Sequence, residues 1–441
     1  MPEVVLPLPA LSKDTKAPPI GGLDYNPDPN RANPFINLVH DQQVAIIPSH
    51  RLESGQVVEQ VPIAYKTWGK LNSTRDNVMV ICHAFTGSSD VADWWGPLLG
   101  RGRAFDTSRF FIVCCNVTGS PYGSMSPCTI NPETHEPFGP DFPMTTVRDD
   151  ISLHRKVLDM LGVRQVAICI GGSLGGMQTL EWSMFGPEYV RTLVVIATSA
   201  RHSAWGISWG EAQRQAIYSD PAFAGGHYLM TAQPASGLAA ARMSALLTYR
   251  TRNSFQSRFG RRTMADKVDD RTGDQVYSAQ SYLRYQGDKF IKRFDANCYV
   301  AITRKMDAHD ISHGRPGEFV DVLRSITQPA LVIGIESDGL FTINEQYEIS
   351  EHLPNAQMVA IESPDGHDGF LLEFAQLDGH IKAFVSARLP EFASRSSRPT
   401  TGEEAVSSVE VSDDDDASGV PSAPAKASLF GEAEGADVMQ W

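Results

Sequence analysis

Short apolar segments that alternate with helical segments constrain the fold of this chain most strongly. Each is rich in β-branched residues and is bounded by turn or polar residues, which is typical of strands buried on both faces of a sheet. The predicted strands are residues 77–83, 109–116, 165–170, 192–197, 329–335 and 356–362. The segment between the second and third strands carries apolar residues at helical spacing. The sequence therefore predicts an α/β fold with a mostly parallel central sheet.

The strands stop between residues 200 and 326, where the pattern is helical, and then resume. An inserted helical cap over an α/β core explains this order better than two domains in series. The last fifty residues are rich in Ser, Pro and acidic residues, a composition that cannot bury enough apolar surface to order itself. The predicted parts are an extended N-terminal arm (1–35), the first part of the core (36–199), the cap (200–326), the second part of the core (327–390) and a disordered acidic tail (391–441).

Composition and charge limit the classes of function. A net charge of −14 argues against generic binding to nucleic acid or to an anionic membrane. The N-terminus is too broken by prolines for a secretory signal, and no run approaches membrane-spanning length. The six cysteines have no zinc-ligand spacing. We therefore expect a cytoplasmic protein with buried free thiols and no metal.

Residues 171–176 read GGSLGG and lie where the third predicted strand gives way to a helical segment. They match G-x-S-x-G, a sharp turn that needs small neighbours and lifts its serine above the sheet. Ser173 is therefore the predicted nucleophile, and the backbone N–H of Leu174 would face an oxyanion formed beside it. The loop after the first strand places the N–H of Phe85 as the second predicted donor. A tight turn without chemistry is the alternative.

A serine hydroxyl is a poor nucleophile until a base takes its proton. Two later loops carry the partners in the order that this type of site requires, an acid followed by a histidine. Asp338 follows the fifth predicted strand and His367 follows the sixth, so both lie at the edge of the sheet where α/β sites form. The sequence predicts a triad of Ser173, Asp338 and His367, with Glu336 as a rival acid.

Several long motifs resemble homoserine O-acetyltransferases, particularly the fungal branch of that family. They include AYKTWGKLN, HAFTGSSDVADWW, RDDISLHRKVLDMLGV, GGSLGGMQTLEW and FDANCYVAITRKMDAHD. The resemblance covers roughly residues 35–390. It implies the α/β-hydrolase fold with an inserted helical cap, and the same triad.

The resemblance also implies the substrates and the residues that bind them. Arg242 would bind the carboxylate of an amino acid, Tyr249 would line the pocket, and Asp368 would hold the substrate ammonium group. The reaction would move an acetyl group from acetyl-CoA to L-homoserine through acetyl-Ser173, for methionine biosynthesis. No metal and no bound cofactor would be required, and the protein would be a homodimer joined through the cap helices.

Four alternatives stay open at the level of sequence. The acceptor could be L-serine or another hydroxylated compound, and the donor could be succinyl-CoA. The same triad also serves esterases, which differ in letting water reach the acyl-enzyme. A catalytically inactive binding or scaffold protein is the last alternative, and the intact order of the three triad residues argues against it.

Overall fold

The computed structural model of the protein describes residues 33–393. The predicted N-terminal arm and acidic tail therefore lie almost entirely outside the described residues. Within that range, no helix has both the length and the hydrophobicity that crossing a bilayer requires.

Ten strands are present in the described range. They are β1 (Gln43–Arg51), β2 (Val57–Trp68), β3 (Val78–Cys82), β4 (Phe111–Cys115), β5 (Val166–Gly172), β6 (Leu193–Ile196), β7 (Thr263–Val268), β8 (Gln275–Tyr277), β9 (Ala330–Ile335) and β10 (Ala356–Ile361). Eight of them form one sheet in the order β1-β2-β4-β3-β5-β6-β9-β10. Strand β2 is antiparallel to β1 and β4, and all the pairs from β4 to β10 are parallel. The six predicted strands form this parallel part.

Twelve α-helices accompany the strands in the same range. They are α1 (Val91–Trp94), α2 (Val147–Met160), α3 (Leu174–Ser183), α4 (Ala204–Tyr218), α5 (Ala235–Tyr249), α6 (Arg252–Phe259), α7 (Ser278–Phe290), α8 (Ala296–Asp307), α9 (Phe319–Ser325), α10 (Ile343–His352), α11 (Phe374–Arg388) and α12 (Pro390–Ala393). Helix α2 begins at a capping box, in which Thr146 accepts from the Asp149 N–H and Asp149 accepts in return.

Both faces of the sheet are buried, which explains the continuous apolar character of its strands. In β3, Val78 and Val80 pack into one hydrophobic cluster, whereas Met79 and Ile81 pack into a second cluster. Successive side chains of a strand point to opposite faces, so each cluster lies on its own side of the sheet. The prediction of a mostly parallel central sheet covered on both faces is therefore confirmed.

Helices α4 to α9 and the hairpin β7–β8 lie between β6 and β9, in the stretch predicted as the cap. The sequence predicts only helices there, so the hairpin is an addition. Its strands are short and its turn holds Gly273 at a φ of +76°. Such short polar strands leave no apolar run from which they could be recognised.

A buried ion pair joins the cap to the core. Lys305 on α8 is fully buried, and its Nζ donates to Asp150 on α2 and, at 2.7 Å, to the carbonyl of Thr118. Burial lowers the pKa of Lys305, and the neighbouring carboxylate of Asp150 opposes that change. Both charges have hydrogen-bonded partners, as buried charges require, so α8 is fixed against the core.

All six cysteines are buried free thiols, as predicted from the sequence. Cys82 and Cys169 lie on adjacent strands with their Sγ atoms 3.8 Å apart. Burial raises the pKa of the Cys298 thiol to about 11, so this group stays protonated and neutral near pH 7. The cysteines therefore pack as small apolar side chains.

Buried histidines make the stability of this fold depend on pH. Burial lowers the pKa of His83 and His202 to about 4, and that of His154 and His309 to about 3. Each titrates near 6.5 when unfolded, so below pH 6.5 the unfolded chain binds protons that the folded chain does not. Their contribution to stability is complete above about pH 6.5, and it is lost as the pH falls toward 4 for His83 and His202 and toward 3 for His154 and His309.

We expect the urea midpoint to fall steeply between pH 7 and pH 5. Each buried histidine contributes up to about 1.4 kcal/mol per pH unit. Burial raises the pKa of Glu345 to about 7, so this residue makes the folded state more stable as the pH falls. Its effect on the free energy of unfolding cancels that of about one histidine. Urea titrations at several pH values measure this slope. His154→Gln should reduce it, the exposed control His135→Asn should not, and a midpoint that stays constant would contradict the prediction.

Candidate active site

Ser173 lies on the sharp turn between β5 and α3, as the GGSLGG motif predicts. Its φ of 57° and ψ of −125° are conformations that residues other than glycine rarely adopt. Two hydrogen bonds hold the peptide groups on either side. The N–H of Ser173 donates to Ile196 O at 3.0 Å, and Thr198 Oγ1 donates to Ser173 O at 2.6 Å. The surrounding structure therefore imposes the strained turn that presents this hydroxyl.

The glycines around Ser173 are required by close approaches of the backbone. A Cβ atom on Gly171 would overlap the carbonyl of Gly175, and one on Gly175 would overlap the carbonyl of Cys82 at the end of β3. A Cβ on Gly176 would overlap the side chain of Thr198. Strand β5, helix α3 and strand β3 thus meet with no room for side chains. This is the physical reason for small residues on both sides of the serine.

His367 and Asp338 form a buried pair at the carboxyl ends of β10 and β9. His367 Nδ1 lies 2.7 Å from Asp338 Oδ2. The other carboxylate oxygen, Oδ1, accepts from the N–H groups of Leu340 and Phe341 at 2.8 and 2.9 Å. With Asp338 ionised, this geometry assigns the proton to Nδ1 of His367. The Nε2 atom is then left as the acceptor that a general base needs.

The structure separates the two candidate acids. Glu336 is exposed, whereas Asp338 is buried against the histidine. Ser337 lies between them and links the two loops, because its Oγ donates to Ser363 O at 2.6 Å and accepts from the Gly366 N–H at 3.1 Å. The predicted acid and base are thus held on loops that are fixed to each other.

The predicted site residues gather around one pocket. Those that line it are Phe85, Ser173, Tyr249, His367 and Asp368. The remaining three lie beside it. Leu174 follows the serine at the start of α3, Asp338 lies behind His367, and the Arg242 guanidinium carbon is 5.7 Å from the centre of the Tyr249 ring. The pocket and its mouth enclose about 290 Å³ of empty space.

His83 orients the peptide group that carries the Phe85 N–H. The His83 Nε2 accepts from the Val117 N–H at 3.0 Å, so the proton of the neutral ring is on Nδ1, which lies 2.7 Å from Ala84 O. Ala84 C=O and Phe85 N–H belong to one peptide group. Burial lowers the pKa of His83 to about 4, so the ring is neutral near pH 7. Sequence reasoning did not identify this residue, because backbone partners leave no side-chain pattern.

Arg250 is a second residue that sequence reasoning missed. Its Nε lies 2.6 Å from Asp368 Oδ2, and its Nη1 lies 2.7 Å from Asp365 Oδ1. The pairing forms only because the end of α5 meets the loop after β10, which no local sequence signal indicates. Arg250 fixes the orientation of the Asp368 carboxylate and reduces the net charge that the pocket offers to an ammonium group.

One group of potential metal ligands is found among the described residues, and it lies outside the lining of this pocket. It consists of Cys128, Asp295 and Cys298. Asp295 already accepts from the Cys298 N–H at 2.9 Å, as the cap of α8, and from the Tyr228 hydroxyl at 2.7 Å. These contacts show that the Asp295 carboxylate caps the N-terminus of α8 and accepts from a neighbouring tyrosine.

The fold and the site together define a protein of the α/β-hydrolase class. The sheet order, the strained serine between β5 and α3, and the histidine–aspartate pair after the last two strands are the features that define it. The family described as the alpha/beta hydrolase fold matches residues 77–374.

Comparison with a known sequence gives the particular family. A homoserine O-acetyltransferase from Ascobolus immersus is 48% identical, over 81% of this chain and 90% of its own length. This chain belongs to the homoserine O-acetyltransferase family, and the resemblance drawn from its motifs is confirmed.

Solved structures share the architecture. A homoserine O-acetyltransferase from Bacillus anthracis superposes with a TM-score of 0.73 at 23% identity, covering 78% of this chain and 97% of that one. The acetyl esterase MekB superposes with a TM-score of 0.69 at 26% identity, covering 78% and 96%. The same fold therefore serves both a transferase and an esterase.

Proposed function

We propose that this chain transfers an acetyl group from acetyl-CoA to the side-chain hydroxyl of L-homoserine, with acetyl-Ser173 as the intermediate. The observation that carries the proposal is the strained Ser173 in one pocket with the His367–Asp338 pair, in a chain 48% identical to a homoserine O-acetyltransferase. The product, O-acetyl-L-homoserine, would serve methionine biosynthesis.

The first half-reaction acetylates the serine. His367 Nε2 takes the proton of Ser173 Oγ, which attacks the thioester carbon of acetyl-CoA. The carbonyl electrons move to its oxygen, and the N–H groups of Phe85 and Leu174 stabilise that oxyanion. The intermediate collapses, the carbon–sulfur bond breaks, and CoA leaves with the proton from His367. Asp338 stabilises the imidazolium while it exists.

The second half-reaction repeats these steps with a different nucleophile. The hydroxyl of L-homoserine gives its proton to His367 and attacks the carbonyl carbon of acetyl-Ser173. The oxyanion forms in the same position, and collapse breaks the bond to Ser173 Oγ, which recovers its proton from His367. The acceptor must compete with water, so its amino and carboxylate groups need binding partners in the pocket.

Arg242 is the proposed partner of the substrate carboxylate. It is almost fully buried on α5, and its guanidinium carbon lies 4.9 Å from the centre of the Phe290 ring as well as near Tyr249. Aromatic rings on this cation limit its motion and present a planar fork suited to two carboxylate oxygens. Asp368, held by Arg250, is the proposed partner of the ammonium group.

Arg242→Lys should raise the KM for L-homoserine by about 10- to 100-fold, since a bidentate charged contact becomes a single one. Acetylation of Ser173 by acetyl-CoA should stay within about twofold, since that step does not involve the amino acid. Steady-state kinetics with varied homoserine and a single-turnover burst of CoA separate these effects. Arg258→Lys, at a cap arginine that also stacks on a ring, is the matched control. Equal losses in both half-reactions would contradict this role.

The function is tested by following CoA release with a thiol reagent. Parallel reactions contain acetyl-CoA with L-homoserine, with L-serine or with no amino acid, and a further set contains succinyl-CoA. Fast release that requires both acetyl-CoA and L-homoserine supports the proposal. Faster CoA release with L-serine or from succinyl-CoA would change the proposed acceptor or the proposed donor. Equal CoA release without an amino acid would identify an esterase-type hydrolase.

We also propose that the protein is a cytoplasmic homodimer joined through the cap helices. Apolar side chains are exposed on two cap helices, namely Trp205, Ile207 and Tyr218 on α4 and Leu247 on α5. Helices α4 and α5 pack against each other, and exposed apolar side chains on them support an interface at this part of the cap. Light scattering should give twice the chain mass, and Leu247→Glu should reduce it to one chain. A wild-type monomer would contradict the dimer, and cell fractionation tests the compartment.

A further inference from the structure

Arg293 lies in the cap, between α7 and α8, and reaches the loop that follows β3. We propose that Arg293 is a positioning residue of the oxyanion hole, which holds and polarises the Phe85 N–H through two intervening peptide groups. The inference rests on the proposed function, because it assigns a further residue to the stabilisation of the same tetrahedral intermediate.

The guanidinium of Arg293 is buried and fixed. Its Nη1 donates to the carbonyl of Thr86 and to the hydroxyl of Tyr122, both at 3.0 Å, and Nη2 lies 3.5 Å from Thr86 Oγ1. The Tyr122 hydroxyl donates in turn to the carbonyl of Arg293 at 2.8 Å. The ring of Phe290 lies 4.8 Å from the guanidinium carbon. The charge is thus held on Thr86, which lines the pocket beside Ser173.

A continuous chain of hydrogen bonds leads from this charge to the predicted oxyanion donor. The carbonyl of Thr86 shares a peptide group with the N–H of Gly87, which donates to Ala84 O at 3.0 Å. The carbonyl of Ala84 shares a peptide group with the N–H of Phe85. The sequence of groups is therefore the guanidinium, the Thr86–Gly87 peptide, the Ala84–Phe85 peptide, and then the oxyanion.

Such a chain strengthens its last donor. A peptide whose carbonyl accepts a hydrogen bond is polarised, so its N–H becomes a better donor, and the effect accumulates along the chain. The first bond here is charge-assisted, which makes it the strongest. Because the last N–H faces negative charge that exists only in the tetrahedral intermediate, the benefit falls on the transition state rather than on bound substrate.

The same peptide is also held from the core. His83 Nδ1 lies 2.7 Å from Ala84 O, so the Ala84–Phe85 group is fixed by a core histidine and, through Gly87, by a cap arginine. The cap thereby becomes part of the catalytic apparatus as well as a cover over the pocket.

A purely structural role is the competing explanation, in which Arg293 only stabilises the turn between α7 and α8. Gln233 provides the matched control, because its Nε2 donates to Ile291 O at 2.8 Å and to Phe294 O at 3.2 Å. Both bonds go to the turn between α7 and α8, and neither goes to the loop that contains Thr86. Gln233→Met should therefore loosen the turn without interrupting the chain of peptides.

The experiment compares Arg293→Met, Arg293→Lys and Gln233→Met in the full-length protein. A small alkyl boronic acid adds to Ser173 and forms a tetrahedral anion, so its Ki reports on the oxyanion hole. The Kd of CoA reports on ground-state binding, and hydrolysis of p-nitrophenyl acetate reports on acylation without an amino acid. For Arg293→Met we expect the boronate Ki to rise by about tenfold and kcat/KM for acylation to fall by the same factor. This change is smaller than the loss expected when an N–H donor of an oxyanion hole is removed completely.

The CoA Kd should stay within about twofold, Arg293→Lys should recover part of the loss, and low concentrations of guanidinium ion should partly rescue Arg293→Met. Circular dichroism confirms that each variant is folded. The proposal is overturned if Gln233→Met matches Arg293→Met, if CoA affinity falls as much as boronate affinity, or if Arg293→Met changes neither. The ester and boronate assays need no homoserine. They therefore test the role of Arg293 even if L-homoserine proves not to be the acceptor.

Discussion

Ser173→Ala will abolish acetyl transfer, with a loss of about a million-fold in kcat, since the variant lacks the hydroxyl that the proposed mechanism acetylates. In the proposed mechanism, removal of the Oγ atom leaves His367 with no nucleophile to activate and the proposed oxyanion donors with no intermediate to stabilise. Mass spectrometry after incubation with acetyl-CoA measures this directly. Wild-type protein should gain one acetyl group, which L-homoserine then removes, and Ser173→Ala should gain none.

A second serine on the same helix provides the control for this variant. Ser183 lies at the far end of α3, where its Oγ donates to Leu180 O at 2.6 Å. Ser183→Ala should retain acetylation and turnover. Removable acetylation of the Ser173→Ala protein would show that the covalent intermediate forms on another residue.

Asp338→Asn should lower kcat by about 10,000-fold while leaving the fold intact. The reason is specific to the hydrogen bonds at this position. Oδ1 accepts from two backbone N–H groups, so the amide oxygen of asparagine must stay there. The NH₂ group then faces His367 Nδ1 and donates to it. The imidazole proton moves to Nε2, and that nitrogen can no longer take the proton of Ser173.

Glu336→Gln is the matched test, because it neutralises the other acidic residue of the same loop. Its side chain is exposed, so we expect activity within about twofold of wild type. Single-turnover CoA release and thermal unfolding of both variants complete the comparison. If Glu336→Gln lost as much activity as Asp338→Asn, the acid would be misassigned.

The three residues of the proposed triad could be predicted to lie together because they follow strands that the sequence marks clearly. Strands β5, β9 and β10 are parallel, so the residues after them meet at one edge of the sheet. That rule places Ser173, Asp338 and His367 together without knowledge of any side-chain contact. Strands β1 and β2 were not predicted, because each has polar residues and a proline, Pro48 or Pro62, in or beside its apolar run, and proline in such a run argues against a strand.

The residues around the triad could not be predicted in the same way. His83 and Arg293 act on backbone carbonyls, which every residue possesses, and Arg293 lies 207 positions from Thr86. Arg250 meets Asp368 only after the cap has packed on the core. Such contacts depend on the tertiary arrangement of segments that are far apart, and neither periodicity nor motif spacing records them.

The insertion of the cap between β6 and β9 has a consequence for synthesis on the ribosome. Strand β6 pairs with β5 on one side and with β9 on the other, and β9 leaves the ribosome only after the whole cap. Until then, the nascent chain carries an open edge on β6, next to the strand that ends at the proposed nucleophile Ser173, and it lacks Asp338 and His367, the proposed acid and base. Open edges promote aggregation, so the pairing of β6 with β9 removes an aggregation hazard that lasts until the cap has been synthesised.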